Sequence, residues 1–252
     1  MKNKSCFIDA HCHLDMIEMP IEKIIDNSNK ADVNIIIAQG VNPESNRKVL
    51  SLGERYDIVK SALGIYPIDA ISFSDKEIDS EIEFIRKNKD KIIAIGEVGL
   101  DFKEDLENHE RQKNIFKKFI GISIELKIPI IVHSRKAELE CIEILEKYNA
   151  KKVIMHCFSG KLSLIKRIVR NGWMLTIPTS VKNSEHFQKI VEMVDIKNLL
   201  CETDSPYLHP DKKWPNEPAN VIASYEKIAE IKGLSLENVN DLIKNNYKNL
   251  FT

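Results

Sequence analysis

Histidines and carboxylates recur in this chain directly after short apolar runs, and that placement is what points to chemistry. The first run ends in Asp9-Ala10-His11-Cys12-His13. Because side chains alternate along a strand, His11 and His13 share one face with Cys12 on the other, so two imidazoles can grip one cation. Further runs end in Gly96-Glu97-Val98-Gly99-Leu100-Asp101, Val132-His133-Ser134-Arg135, Met155-His156-Cys157-Phe158-Ser159-Gly160 and Cys201-Glu202-Thr203-Asp204-Ser205-Pro206. One histidine at a strand end is commonly a satisfied polar residue. His11, His13, Glu97, His133, His156 and Asp204 together, on five strands at the same end, would leave buried polar groups unpaired unless a metal joined them. Imidazole-rich ligation suits Zn2+, Mn2+ or Fe, while carboxylates also admit Mg2+.

For these side chains to meet, the runs must be strands of one closed sheet. Eight candidates follow one another: Cys6–Ala10, Asn34–Ala38, Ile58–Leu63, Lys91–Ile95, Ile128–Val132, Lys152–Met155, Trp173–Ile177 and Asn198–Cys201. Several are continuously apolar, as parallel strands covered on both faces are. Between them lie stretches with helical spacing. From Glu107 to Leu126, Ile115, Phe116, Phe119, Ile122, Ile124 and Leu126 can form an apolar stripe, and Leu139, Ile142, Leu145 and Tyr148 can form the next. Ser235 is placed to cap a closing helix that ends near Leu250 and Phe251. Alternating βα units without a linker predict an α/β protein, a (β/α)8 TIM barrel spanning residues 1–252 as one domain, and 252 residues is the usual size of that fold. The C-terminal ends of barrel strands are where active sites are built.

Composition narrows the setting. A net charge of −1 gives no whole-protein attraction to polyanions, so any nucleic-acid binding must come from a local patch. No apolar run approaches the ~18 residues of a membrane span. The first residues turn polar too soon to form a leader's apolar core, and cytoplasmic retention is the expectation. Cys6, Cys12, Cys141, Cys157 and Cys201 are odd in number and widely spaced, which reads as free thiols in a reducing compartment. By strand parity Cys12, Cys157 and Cys201 point away from the metal-facing residues, between strand and helix. Asp9 and Glu202 share parity with neighbouring ligands and can orient an imidazole or water from behind, or form a turn or salt bridge. His109, His186 and His209 stand outside the ligand motifs.

Taken in order, these motifs resemble the TatD family of metal-dependent deoxyribonucleases, barrels of the amidohydrolase-like superfamily. The resemblance runs nearly end to end. It rests on Asp9-Ala-His-Cys-His-Leu-Asp15, Gly96-Glu-Val-Gly-Leu-Asp101, Ile131-Val-His-Ser-Arg135, His156-Cys-Phe-Ser-Gly160, Glu202-Thr-Asp-Ser-Pro-Tyr207 and Asn216-Glu-Pro218. It implies that His11, His13 and Asp204 hold one divalent cation, that His133 and His156 hold a second, and that Glu97 bridges them. It also implies activity with Mg2+ or Mn2+. A bridging carboxylate suits two cations about 3.5–4 Å apart that activate water for a displacement. Asp204 is the candidate general base, able to ligate while accepting a proton, with a pure ligand role as the alternative.

The expected reaction is hydrolysis of DNA phosphodiester bonds, 3'-5' exonuclease-like, with single strands or strand ends as substrate because an end enters a barrel mouth more readily than duplex. No obligate protein partner is evident. Arg135, two residues beyond His133, is the best placed to bind phosphate through a guanidinium fork. Lys161, Lys182, Lys212 and Lys213 fall on loops at the same end, either as ordinary solvated charge or as parts of a local cationic mouth. Tyr66, Phe158 and Trp214 offer faces for unpaired bases, with loop packing as the alternative role for Trp214. The family's usual Gly-x-His-Pro-His reads Gly64-Ile65-Tyr66-Pro67-Ile68 here, so Tyr66 and Ile68 replace two histidines near the substrate, and Pro178–Asn183 lacks the usual glycine. Two alternatives stand beside the nuclease: hydrolysis of a small amide, ester or lactone on the same centre, and a non-catalytic metal-stabilised binding module, which would need a closed coordination shell.

Overall fold

In the computed structural model, which describes residues 6–251, eight parallel strands follow one another in chain order around one sheet. They are β1 (Phe7–Cys12), β2 (Val33–Gln39), β3 (Val59–Leu63), β4 (Ile92–Asp101), β5 (Ile130–Arg135), β6 (Val153–Met155), β7 (Met174–Pro178) and β8 (Leu199–Glu202). The expectation of no leader rests partly on residues 1–5, which lie outside the described residues. All eight expected strands form. Ile36, Ile37 and Ala38 of β2, Ile130, Ile131 and Val132 of β5, and all of β6 are buried, with the sheet interior on one side and helices on the other. Continuous apolar runs are what such strands require.

The seam between β1 and β8 is stitched just beyond the strand ends. The Asp204 N–H donates to the His11 carbonyl at 2.9 Å and the His13 N–H to the Ser205 carbonyl at 2.8 Å. Behind them the Asp9 carboxylate accepts from the Thr203 N–H at 2.9 Å and the Thr203 hydroxyl at 2.6 Å. At β4 the sheet draws in through Gly99, whose φ is +146° and whose Cβ, if present, would lie 1.9 Å from the His133 carbonyl oxygen. Only glycine allows that approach.

Helices cover the outside. The helix His109–Leu126 starts two residues later than its spacing predicts, because Asp105 organises the preceding turn by accepting from the Asn108 N–H at 2.8 Å. Ile115, Phe116, Phe119 and Ile122 are buried as expected, joined by Ile120, whereas Ile124 is exposed. In the helix Glu138–Lys147 the buried stripe is Cys141, Ile142 and Leu145. Leu139 and Tyr148 lie exposed at its margin, which corrects the expected stripe: a three-turn helix buries one arc, and Cys141 occupies it. The closing helix Leu236–Phe251 is capped by Ser235, whose hydroxyl accepts from the Asn238 N–H at 3.2 Å. Among the described residues no helix is long and apolar enough to cross a membrane.

Candidate metal centre

The stitched seam brings His11, His13 and Asp204 together, and β4 adds Glu97 from across the barrel. His11 Nε2 lies 3.3 Å from His13 Nε2, 3.5 Å from Glu97 Oε2 and 3.7 Å from Asp204 Oδ1. His13 Nε2 lies 3.4 Å from the same Glu97 oxygen and 3.5 Å from the same Asp204 oxygen. Four donors bound tetrahedrally, at the distances nitrogen and oxygen take from a transition metal, stand roughly 3.3–3.6 Å apart. The observed separations match that spacing, so the donor set fits a cation.

The other oxygen of Glu97 faces a second pair. Oε1 lies 2.8 Å from His133 Nδ1 and 3.4 Å from His156 Nε2. Each of these rings is held from behind by a buried carboxylate: His133 Nε2 stands 3.0 Å from Asp101 Oδ2, and His156 Nδ1 stands 3.0 Å from Glu202 Oε2. With the rear nitrogen donating its hydrogen, the front nitrogen presents a lone pair. Glu202 thus takes the orienting role its parity allows. Asp9 does not, because its oxygens are spent on Thr203 and on the backbone N–H of His11. Asp101 is the orienter that the residue pattern passed over. Its Oδ2 also accepts from the Tyr66 hydroxyl at 3.0 Å, and its Oδ1 accepts from the N–H groups of Lys103 and Glu104, both at 2.9 Å.

Charge follows from this packing. Burial alone would raise the pKa of Glu97, but His156, His11 and His133 outweigh it and hold the carboxyl well below its ordinary value. Asp204 behaves alike, with burial overcome mainly by its hydrogen bond with His13. For His156 burial would lower the pKa, yet Glu202 and Glu97 raise it well above the usual imidazole value. His11 is lowered by burial and by His156, whose ring stacks on it at 3.7 Å. Glu97 and Asp204 are thus held in the charged form, and the proton that His156 retains is one that a cation would displace.

Above these groups opens a cavity of about 730 Å3. Asp69, Glu97, Glu104 and Asp204 line it, against one guanidinium, that of Arg135. This corrects the expected cationic mouth: Lys161, Lys182, Lys212 and Lys213 are exposed on the surrounding loops and do not line the cavity. Arg135 is half-exposed and paired with Glu104 at 2.6 Å. Tyr66 lines the cavity with its hydroxyl committed to Asp101, whereas Ile68 does not line it. Phe158 is fully buried and cannot stack on a base. Cys157 lines the cavity instead of packing outward, because the chain turns there with φ at +41°, so strand alternation no longer applies. Cys12 and Cys201 are buried as expected. His109 stacks on Phe102, and His186 lies 3.1 Å from the Phe158 carbonyl, both outside the cavity.

Comparison with known proteins bears on the family. Residues 8–252 match the family model described as TatD related DNase. The chain is 39% identical over 245 residues to an uncharacterized metal-dependent hydrolase of Methanocaldococcus jannaschii, covering 96% of this chain and 94% of that protein. It is 34% identical over 257 residues to the human deoxyribonuclease TATDN3, covering 97% and 94%. A crystal structure of a TatD homologue from Escherichia coli K12 superposes with a TM-score of 0.91 at 25% identity, over 97% of each chain. A family model matched over nearly the whole described chain, with relatives of this identity and coverage, shows that the chain belongs to the TatD-related DNase family of metal-dependent hydrolases.

Proposed function

We propose that the whole chain is one catalytic unit that hydrolyses DNA phosphodiester bonds with two divalent cations, Mg2+, Mn2+ or Zn2+. The observation that carries this reading is the division of one carboxylate between two donor sets: Glu97 turns Oε2 to His11 and His13, and Oε1 to His133 and His156. When bound there, two cations supply an acidified water and a clamp on the phosphate oxygens. The chain's own residues do the rest. Asp204, held ionised and 16% exposed at the cavity floor, accepts the proton of the attacking water. Arg135 meets a non-bridging phosphate oxygen by exchanging Glu104 for it. Tyr66 walls the cavity. The names of the deoxyribonuclease relatives support DNA as substrate, and strand ends fit a cavity set inside a barrel mouth. The five free cysteines support the reducing cytoplasm as the place of action.

A second reading draws on the acidic lining: with one guanidinium, the cavity also suits an uncharged amide, ester or lactone. Labelled single- and double-stranded DNA incubated with the protein and Mg2+ or Mn2+ separates the two. Metal-dependent cleavage that falls about a hundredfold or more in Asp204→Ala supports the nuclease. Equal product from wild type and Asp204→Ala contradicts it, and turnover of a nitrophenyl ester or lactone without DNA cleavage favours the second reading.

A further inference from the structure

The loop that follows Asp204 carries two large aromatic side chains that the barrel does not use. Tyr207 is 48% exposed and Trp214 is 58% exposed, with ring centroids 5.8 Å apart. Tyr207 lines the cavity, and its ring centroid lies 6.3 Å from that of His13, so the pair begins where the candidate metal centre ends. The loop is braced. Asn216, fully buried, donates from its side-chain amide to Thr179 Oγ1, the Thr203 carbonyl and the Tyr207 carbonyl, and its backbone N–H donates to the Pro206 carbonyl. Lys182 anchors the tip through Asp211 at 2.5 Å. Two rings that meet each other are thus held in place at the rim with about half of each surface open to solvent.

Charge identifies the occupant. Lys212 and Lys213 directly precede Trp214, are exposed, and among the described residues form no ion pair. Asp69 and Glu104 make part of the cavity wall acidic, so exposed ammonium groups on the loop beside Trp214 add attraction for a polyanion that the cavity lining supplies only through Arg135. Aromatic faces interleaved with free ammonium groups are the combination that binds unpaired nucleic acid, because any base can stack and any phosphate can pair. In a duplex both faces of each base are already stacked.

We propose that Trp214 stacks on an unpaired base of a single-stranded nucleic acid, with Tyr207, tilted 56° to it, as the adjoining wall and with Lys212 and Lys213 meeting the neighbouring phosphates. This rests on the nuclease reading for the scissile phosphate and adds the element that selects single strands. Tryptophan emission reports it directly, because the other tryptophan, Trp173, is 1% exposed and serves as an internal reference and as a reporter of an intact core. The protein with Mg2+ is titrated with phosphorothioate oligothymidylate and with an abasic strand of equal phosphate count, and KM for single-stranded DNA is compared in wild type and Trp214→Ala. Stacking on Trp214 predicts quenching by the base-bearing strand, none by the abasic strand, and none in Trp214→Phe. It also predicts a roughly tenfold or greater rise in KM in Trp214→Ala with kcat little changed. Cleavage with an unchanged KM in Trp214→Ala and no quenching would overturn the stacking and leave the nuclease standing. Quenching without any cleavage would support the stacking and refute the nuclease.

Discussion

The backbone N–H of Asp204 donates to the carbonyl oxygen of His11 across the β1–β8 seam at 2.9 Å. One of the bonds that join β1 to β8 is thus the bond that sets an aspartate beside two imidazoles. Fold and site share one joint, so loosening the seam should loosen both.

Thr203 tests that joint, since its N–H and hydroxyl both reach Asp9. Thr203→Val keeps the shape and removes the hydroxyl, leaving the buried Asp9 one donor short. Chemical denaturation should show a loss of about 1–3 kcal/mol, with weaker metal binding in calorimetry. Lost stability with unchanged metal affinity would separate seam from site.

Asp101 should matter as much as a metal donor although it faces away from the cavity. Asp101→Asn can no longer hold the rear nitrogen of His133 as a charged acceptor, and metal affinity should fall about 10–100-fold. Tyr66→Phe, which removes one of the bonds on Asp101, should give a smaller loss in the same direction. Isothermal titration with Mn2+ measures both, and wild-type affinity in Asp101→Asn would refute the role.

His156 sets the pH dependence. Burial would lower its pKa, but Glu202 and Glu97 hold it well above the ordinary 6.5. In metal-free protein this raised group contributes stability that is fully present below the unfolded value and lost as pH rises through the folded one. A cation must displace the same proton, so binding tightens with rising pH and releases protons. Glu202→Gln should move the affinity–pH curve to lower pH. Titrations in buffers of different ionisation enthalpy count the protons released, and a curve that stays in place would count against this account.

Gly99→Ala should be among the most damaging small changes in the chain. Its Cβ would meet backbone of β5, at the level of His133, which cannot move aside as a side chain can. Thermal unfolding should show a loss of at least about 2 kcal/mol. A variant as stable as wild type would mean that the β4–β5 approach is not required.

Much of this was legible in the residues because parallel barrel strands leave a strong trace: Ile130-Ile131-Val132 can be little else, and groups placed just past such runs must face the mouth. The meeting of His11, His13, Glu97, His133, His156 and Asp204 follows from that rule. Asp101 was also within reach, since Glu97, Gly99 and Asp101 share strand parity, but a carboxylate pointing at the back of a ring looks in sequence like any strand-end acid. Phe158 was not legible, because the left-handed turn at Cys157 cancels the alternation that would place it. The lysines misled for a different reason. Loop length says that Lys161, Lys182, Lys212 and Lys213 lie near the mouth, while only the folded loops show that their ammonium groups stay outside an acidic cavity.

Two cations, if bound, would each take one oxygen of Glu97, Oε2 beside His11 and His13 and Oε1 beside His133 and His156. Anomalous diffraction from crystals grown with Mn2+ tests this most directly. Two peaks about 3.5–4 Å apart, one beside His11, His13 and Asp204 and the other beside His133 and His156, with the Glu97 carboxylate between them, is the predicted result. A single peak, or two peaks that Glu97 does not join, would contradict it.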